Sequence, residues 1–361
     1  DTNHKFLQPN ETNAESDFDG ISVNATGFSL HGASNLGNNS GETIIYIAIR
    51  RGPMGLPTDG SQVFQTLTYD GSGADVTRDT DIQVDAFLTQ RTTGGQPYAV
   101  DRLRGGTKYI RTNATDAEGI QTTAVTDFGP NFLKMGSGAI VNSAASSYCL
   151  SMWKRSHGFF DTVEYDGDGT AGRTVNHNLG VVPEMIWARN RDVTTDNWIV
   201  YHSGMDATAP EDYAMFLNLT NDPSNQVGWW NDTAPTSSVF TVGNASNGPN
   251  VNGESFIAWL FASVDGVSKV GSVSHTTGSN TDVDCGFSAG ARFVILKGTH
   301  ASGWQVYDTE RGIVTGNDPL LQLHSSSAQD TTQDRIDPYS SGFSIGPDLG
   351  TGTYIFYAVA Q

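Results

Sequence analysis

Short apolar runs, each bounded by Gly, Asn, Asp, Ser or Pro, recur along the chain without any sustained 3.6-residue periodicity. The runs favour β-branched and aromatic residues, as in Ile44-Ile45-Tyr46-Ile47, Met185-Ile186-Trp187-Ala188, Phe293-Val294-Ile295-Leu296 and Tyr354-Ile355-Phe356-Tyr357. They read as strands separated by turns, and the pattern predicts an all-β chain of antiparallel sandwiches.

The runs repeat in order. Four closing strands follow polar turns: Gly41–Ile49, Ala145–Trp153, Gly253–Leu260 and Gly352–Ala360. Their aromatic positions Tyr46, Tyr148, Phe256 and Tyr354 are spaced by 102, 108 and 98 residues. A period of that size is a domain rather than a solenoid unit, since solenoid repeats run about 20 to 50 residues. An aromatic strand recurs ahead of each of the last three, at Pro97–Asp101, Trp198–His202 and Trp304–Asp308. The spacing predicts tandem, jelly-roll-like β-sandwiches over 56–157, 158–263 and 264–361, joined like beads on a string. Residues 1–55 match only the second half of a unit, and this half is expected to be completed by another chain or by sequence outside the one given.

Composition narrows the class. With 361 residues, 41 glycines and 16% charged side chains, the chain suits sandwiches with polar loops better than an α/β enzyme. No apolar run reaches the about 18 residues of a membrane-spanning helix. Lys and Arg number 20 against 39 Asp and Glu, a net charge of −19. Residues 158–263 alone hold 3 basic and 13 acidic side chains. That balance argues against nucleic acid and anionic membrane as partners, because both require a positive surface. The two cysteines, Cys149 and Cys285, lie in different units and read as free thiols rather than a disulfide framework.

Catalytic signatures are missing: there is no Gly-x-Ser-x-Gly, phosphate-binding loop, His-Glu-x-x-His or Cys-x-x-Cys. The chain is read as non-enzymatic and without a cofactor. His177, in Asn176-His177-Asn178-Leu179-Gly180, reads as a turn residue, and His202 occupies the place held elsewhere by Asp101 and Asp308. The motif Asp-x-x-Arg-Gly occurs as Asp101…Arg104 and Asp308…Arg311; an arginine fork reaching back to a carboxylate makes a structural clamp. Asp166-Gly167-Asp168-Gly169 and Asp282-Val283-Asp284 supply oxygen donors that would suit Ca²⁺, though turn and edge-strand roles fit the same residues. The sequence Trp229-Trp230-Asn231-Asp232 is the candidate glycan contact. Sugar C–H groups stack on indole faces while amide and carboxylate groups take the hydroxyls. A core tryptophan beside a strand-edge one fits the same pair.

Several phrases resemble repeats in large virion proteins of marine tailed bacteriophages: Ile47–Met54, Gly158–Asp161, Asn176–Ile186, Asn231–Phe240, Ala258–Ala262 and Val283–Phe293. The unit at 56–157 departs most, with Asp79-Thr80-Asp81 where the Asn-His-Asn-Leu-Gly turn would fall. The resemblance covers nearly the whole chain and implies a tail fibre or other virion structural protein, with no catalytic residues. The expectation is an adhesin on the virion surface, extracellular, assembled as a homotrimer, and binding host polysaccharide or glycoprotein as well as other virion proteins. The alternatives are a head or tail decoration protein, or a cellular carbohydrate-binding surface protein; a depolymerase would need a convergent carboxylate pair.

Overall fold

A computed structural model describes residues 54–361 throughout. In the N-terminal unit, Asp1–Pro53, it describes residues 4–6, 12–14, 16–18, 21–24, 27–30, 41 and 43–47. The protein is all-β: 29 strands are described, every pairing is antiparallel, and the described helical structure amounts to two single 3₁₀ turns, Gly60–Gln62 and Pro210–Asp212. The N-terminal unit contributes two hairpins, His4–Phe6 with Ser16–Phe18 and Ile21–Asn24 with Gly27–Leu30.

Residues 54–361 contain three sandwiches of one design. Each has a large sheet in which a closing strand lies between an opening and an inner strand, with a third and a fourth strand beyond the inner one. In the first sandwich these are Ser147–Trp153 between Phe64–Asp70 and Ala86–Arg91, then Tyr98–Asp101 and Lys108–Arg111. In the second they are Ser255–Phe261 between Phe160–Asp166 and Met185–Asn190, then Ile199–His202 and Tyr213–Phe216. In the third they are Gly352–Ala360 between Ser268–His275 and Ala291–Gly298, then Gln305–Asp308 and Leu321–Gln322. A smaller sheet of two or three strands covers one face. Its strands alternate buried and exposed positions, as in Arg173–Asn176 and Thr281–Asp284, the pattern of a sheet wet on one side.

The closing strands do not alternate. From Tyr148 to Trp153, from Phe256 to Phe261 and from Tyr354 to Ala360 every residue is buried. A strand reads this way only when both faces of its sheet are covered. One face meets the small sheet: Phe87, Val100, Tyr148 and Leu150 pack with Leu133 and Met135 in the first sandwich, and Val294, Leu296 and Phe356 pack with Val283 and Phe343 in the third. The other face meets the neighbouring sandwiches. Trp153 lies 6.0 Å from Phe160, 6.1 Å from Trp259 and 5.5 Å from Phe293, ring centre to ring centre, and Phe261 lies 5.0 Å from Tyr357.

This overturns the beads-on-a-string expectation. Residues 54–361 form one compact unit, because the second face of each large sheet is apolar and must be buried.

Candidate functional site

The tryptophan pair chosen as a glycan contact is not a surface platform. Trp229 and Trp230 are 4% and 2% exposed. A turn that begins at Gln226, whose carbonyl accepts from Trp229 N, directs both rings inward. Phe216 packs edge-on to Trp229 at 5.6 Å, and Tyr201 edge-on to Trp230 at 6.1 Å. Asn231 and Asp232 then turn the chain back with φ of 56° and 45°, a left-handed conformation that Asn and Asp tolerate better than other non-glycine residues. Asp232 is exposed, and its carboxyl pKa is pushed upward, first by partial desolvation and then by Asp212 and Glu211. Beside Trp230, Tyr201, Pro235 and Phe240 bound a crevice of about 160 Å³, counting space open to solvent. The crevice is too narrow for a water molecule, so no sugar ring stacks there. The core reading of these tryptophans fits the structure, and the glycan-platform reading is corrected.

The two Asp-x-x-Arg pairs are formed. Asp101 Oδ2 lies 2.6 Å from Arg104 Nε, with both side chains fully buried, and Asp308 Oδ2 lies 2.6 Å from Arg311 Nε. Each arginine also donates along its own sheet, Arg104 to Ala99 O and Arg311 to Val306 O. Both carboxylates then take a contact from another sandwich: Trp259 Nε1 donates to Asp101 Oδ2 at 3.3 Å, and Cys149 Sγ to Asp308 Oδ2 at 3.6 Å. At the same register, opposite Met185, His202 donates from Nε2 to Phe356 O of the third sandwich at 3.1 Å, while its Nδ1 accepts from Gly204 N. Both ring nitrogens are used by the neutral tautomer, and burial pushes the pKa down to about 4. The clamps therefore brace the seams between sandwiches as well as their own loops. Burial raises the Cys149 thiol far above its usual range, so it is no nucleophile.

Sequence reasoning passed over a second set of seam residues. Arg111, Phe216 and Gln322 lie opposite the first residue of the third strand in their respective sandwiches. Each of their carbonyls is taken by the next sandwich. Trp198 Nε1 donates to Arg111 O at 2.7 Å, Trp304 Nε1 to Phe216 O at 2.9 Å, and Gln90 Nε2 to Gln322 O at 3.1 Å. The first sandwich has Pro97 where the others have Trp198 and Trp304, and Gln90 supplies the missing donor. The second contacts the first, the third contacts the second, and the first contacts the third. The contacts close a ring with quasi-threefold repetition.

Three long polar side chains in the inner strands face these seams. Gln90, Arg189 and Lys297 stand opposite Cys149, Ile257 and Ile355 of the closing strands. Arg189 donates to Thr115 O and Asp116 O of the first sandwich, and burial lowers its pKa to about 10. Lys297 donates to Asn221 O of the second sandwich and to Gly298 O and His300 O, and burial lowers its pKa to about 8. Arg191 pairs with Glu118 at 2.9 Å across the first seam. The available signal was a long polar residue at one register, next to the apolar run of each of three strands.

At the far end of each sandwich a turn is held in the same way. Gly73 N donates to Asn142 O, Gly169 N to Asn250 O and Gly278 N to Pro347 O, each at 2.9 Å. All three glycines have positive φ, between 68° and 82°, where a side chain would be strained. The buried Asn142 and Asn250 side chains fix the turns further, bonding Ser72 and Ala74 in one case and Asp168 and Thr170 in the other. Asp168, a candidate Ca²⁺ ligand, accepts from Thr170 N and Asn250 Nδ2 and lies 3.6 Å from Arg173. Asp282 and Asp284 point outward on a small-sheet edge strand. Among the described residues no three His, Cys, Asp or Glu side chains gather as a metal site. His177 accepts from Leu179 N within its own turn and donates from Nε2 to Thr236 O, 59 positions along the chain.

A search of curated proteins returned no match to the chain. A family model does match, over residues 59–361, and it takes in all three sandwiches as one domain, the same stretch that packs as one compact unit. The chain belongs to the family described as a domain of unknown function, DUF7483.

Proposed function

We propose that the chain is a non-enzymatic surface protein of a tailed-phage virion that helps attach the particle to its host through repeated weak contacts. The observation that carries this reading is the closed ring, which joins three turns of one design to a single compact unit. Rigidly spaced repeated loops gain affinity through effective concentration without any one tight site. The proposed ligand is a host polysaccharide or surface glycoprotein. Its contacts belong in the polar outer turns, such as the one around Asp168 and Thr170, since the tryptophan pair lies inside. The resemblance of sequence phrases to virion repeats supports the setting, and assembly into a homotrimer is part of the proposal. The strong negative charge suits a salty medium, where screening shortens self-repulsion.

A second reading, a building block of head or tail, is favoured by an exposed apolar segment, Thr43–Ile47, which suits assembly with other protein. Immunogold labelling of virus particles with antibody to this chain separates the two. Gold at the tail tip, together with saturable binding of the purified chain to host cells, is expected for attachment. Gold over the head without cell binding would select the building-block reading. Gold on cells and none on particles would contradict both.

A further inference from the structure

The three seams are not held alike. At the residue that ends the third strand, the first sandwich has Asp101 and the third has Asp308, each paired with an arginine three residues on. The second has His202, followed by Ser203, Gly204 and Met205, so no arginine stands at the matching place. His202 is 1% exposed. Its Nε2 donates to Phe356 O across the seam, and its single Nδ1 lone pair accepts from Gly204 N at 3.0 Å. Gly204 lies so close to the third sandwich that an added Cβ would fall 2.9 Å from Ser272 Cβ. The titratable groups on the elements packed against the imidazole are Glu184 beside Met185 on the inner strand, Lys269 and Tyr357 on the opening and closing strands of the third sandwich, and Tyr201 on its own strand. Glu184 accepts from Ser263 N and acts with Glu211 on Tyr201, while Lys269 acts on Cys285. Among the described residues no carboxylate bonds the imidazole; burial, opposed by Phe356 O, keeps it neutral.

A second proton on this imidazole goes to Nδ1, where it meets the Gly204 N–H donor head on. The imidazole then has to leave its place, and Phe356 O loses its partner in a seam that holds no compensating charge. The first seam responds differently. Against the cost of burial, Arg191 and Arg104 hold the Glu118 carboxyl below its usual range, so this seam keeps its charges as pH falls. We infer that the seam between the second and third sandwiches is an acid-sensitive latch: protonation of His202 frees its Phe356 end while the two Asp–Arg seams stay shut. The other end of the same seam acts as the hinge. There Trp304 Nε1 bonds Phe216 O at 2.9 Å, Ser302 N bonds Thr220 O at 3.0 Å and the Lys297 ammonium bonds Asn221 O, and none of these donors gains a proton in acid. Opening admits water to Phe261 and Tyr357, whose side chains meet across this seam. His177, His275 and His324, whose pKa values burial also lowers, bond within their own sandwiches and latch no seam.

The test is amide hydrogen exchange on the whole chain, with protection factors corrected for the intrinsic rate at each pH. Gly204 N reads the latch, and Arg104 N and Arg311 N, which donate to Asp101 and Asp308, read the two clamps. Protection at Gly204 is expected to fall about tenfold or more between pH 6.5 and about 4.5 while the clamp amides keep theirs. His202→Gln keeps a donor for Phe356 O and does not titrate in this range, so it is expected to remove the fall. Unchanged protection at Gly204, an equal fall at all three amides, or a fall that persists in His202→Gln would each overturn the latch. Should His202→Gln fail to fold, the comparison of the three amides in the wild type decides by itself.

Discussion

Arg104 and Asp101 have no solvent contact on either side chain, so removing one charge leaves the other stranded in a low-dielectric seam. Arg104→Met is expected to cost about 3–5 kcal/mol in urea unfolding. Arg111→Met, which breaks the exposed pair with Asp116, is expected to cost under about 1 kcal/mol. Equal small losses would mean that Asp101 is rehydrated and that the seam is open. His202 makes a pH prediction. Its folded pKa is pushed from 6.5 to about 4, so the unfolded chain takes up the proton first. The stability contributed by the neutral ring is present above pH 6.5 and is lost as pH falls towards 4, on the order of 3 kcal/mol in all. Asp318 acts in the opposite sense, because burial raises its carboxyl to about 7 and its contribution is lost as pH rises from 3.8 through 7. Comparing unfolding free energy against pH for the wild type and His202→Gln isolates the histidine: the variant should be flatter between pH 6.5 and 4. Parallel curves would remove His202 from the acid response.

At the scale of elements, the seams are built from carbonyl acceptors at matched registers. Trp304→Phe keeps the ring but strands Phe216 O, and should cost about 1–3 kcal/mol in the same unfolding assay; Trp198→Phe should match it at Arg111 O. A neutral result at both sites would mean that these bonds do not hold the ring shut. The strands themselves were legible in the sequence, because turn residues and β-branched runs mark them locally: the aromatic landmarks ending at Asp101, His202 and Asp308 and the last three closing phrases sit where strands form. The unbroken apolar runs of the closing strands also carried the sign of two-sided burial, but a sequence does not say whether the second cover is another sheet, a partner or solvent. Trp229 and Trp230 were misplaced for a related reason. Neighbouring Asn and Asp suggested a polar rim, whereas these residues serve the left-handed turn that sends both indoles inward. Gln90, Arg189 and Lys297 escaped notice because each acts on a carbonyl about 75 to 230 positions away, and backbone acceptors leave no trace in side-chain identity.

The whole molecule follows from one requirement. Each large sheet has two apolar faces and only one small sheet to cover them, so three sandwiches cover one another around Trp153, Phe160, Trp259, Phe261, Phe293 and Tyr357. A single sandwich cut out of the chain would expose that face. Residues 158–263 expressed alone should therefore aggregate or remain unfolded, with Trp187, Trp259 and Phe261 open to water; a soluble, cooperatively folded fragment would contradict this. The interlocked ring also bears on function. A string of beads adapts to its target, whereas a ring holds its three outer turns at fixed spacing and suits a surface with repeating ligands.

Differential scanning calorimetry of the whole chain beside Trp153→Ala tests the ring most directly. The account predicts one transition for residues 54–361, with calorimetric and van't Hoff enthalpies in agreement. Trp153→Ala, at a cost of about 3–5 kcal/mol, should move that whole transition to lower temperature. Three separable transitions, with only one of them shifted by the substitution, would contradict it and restore the beads.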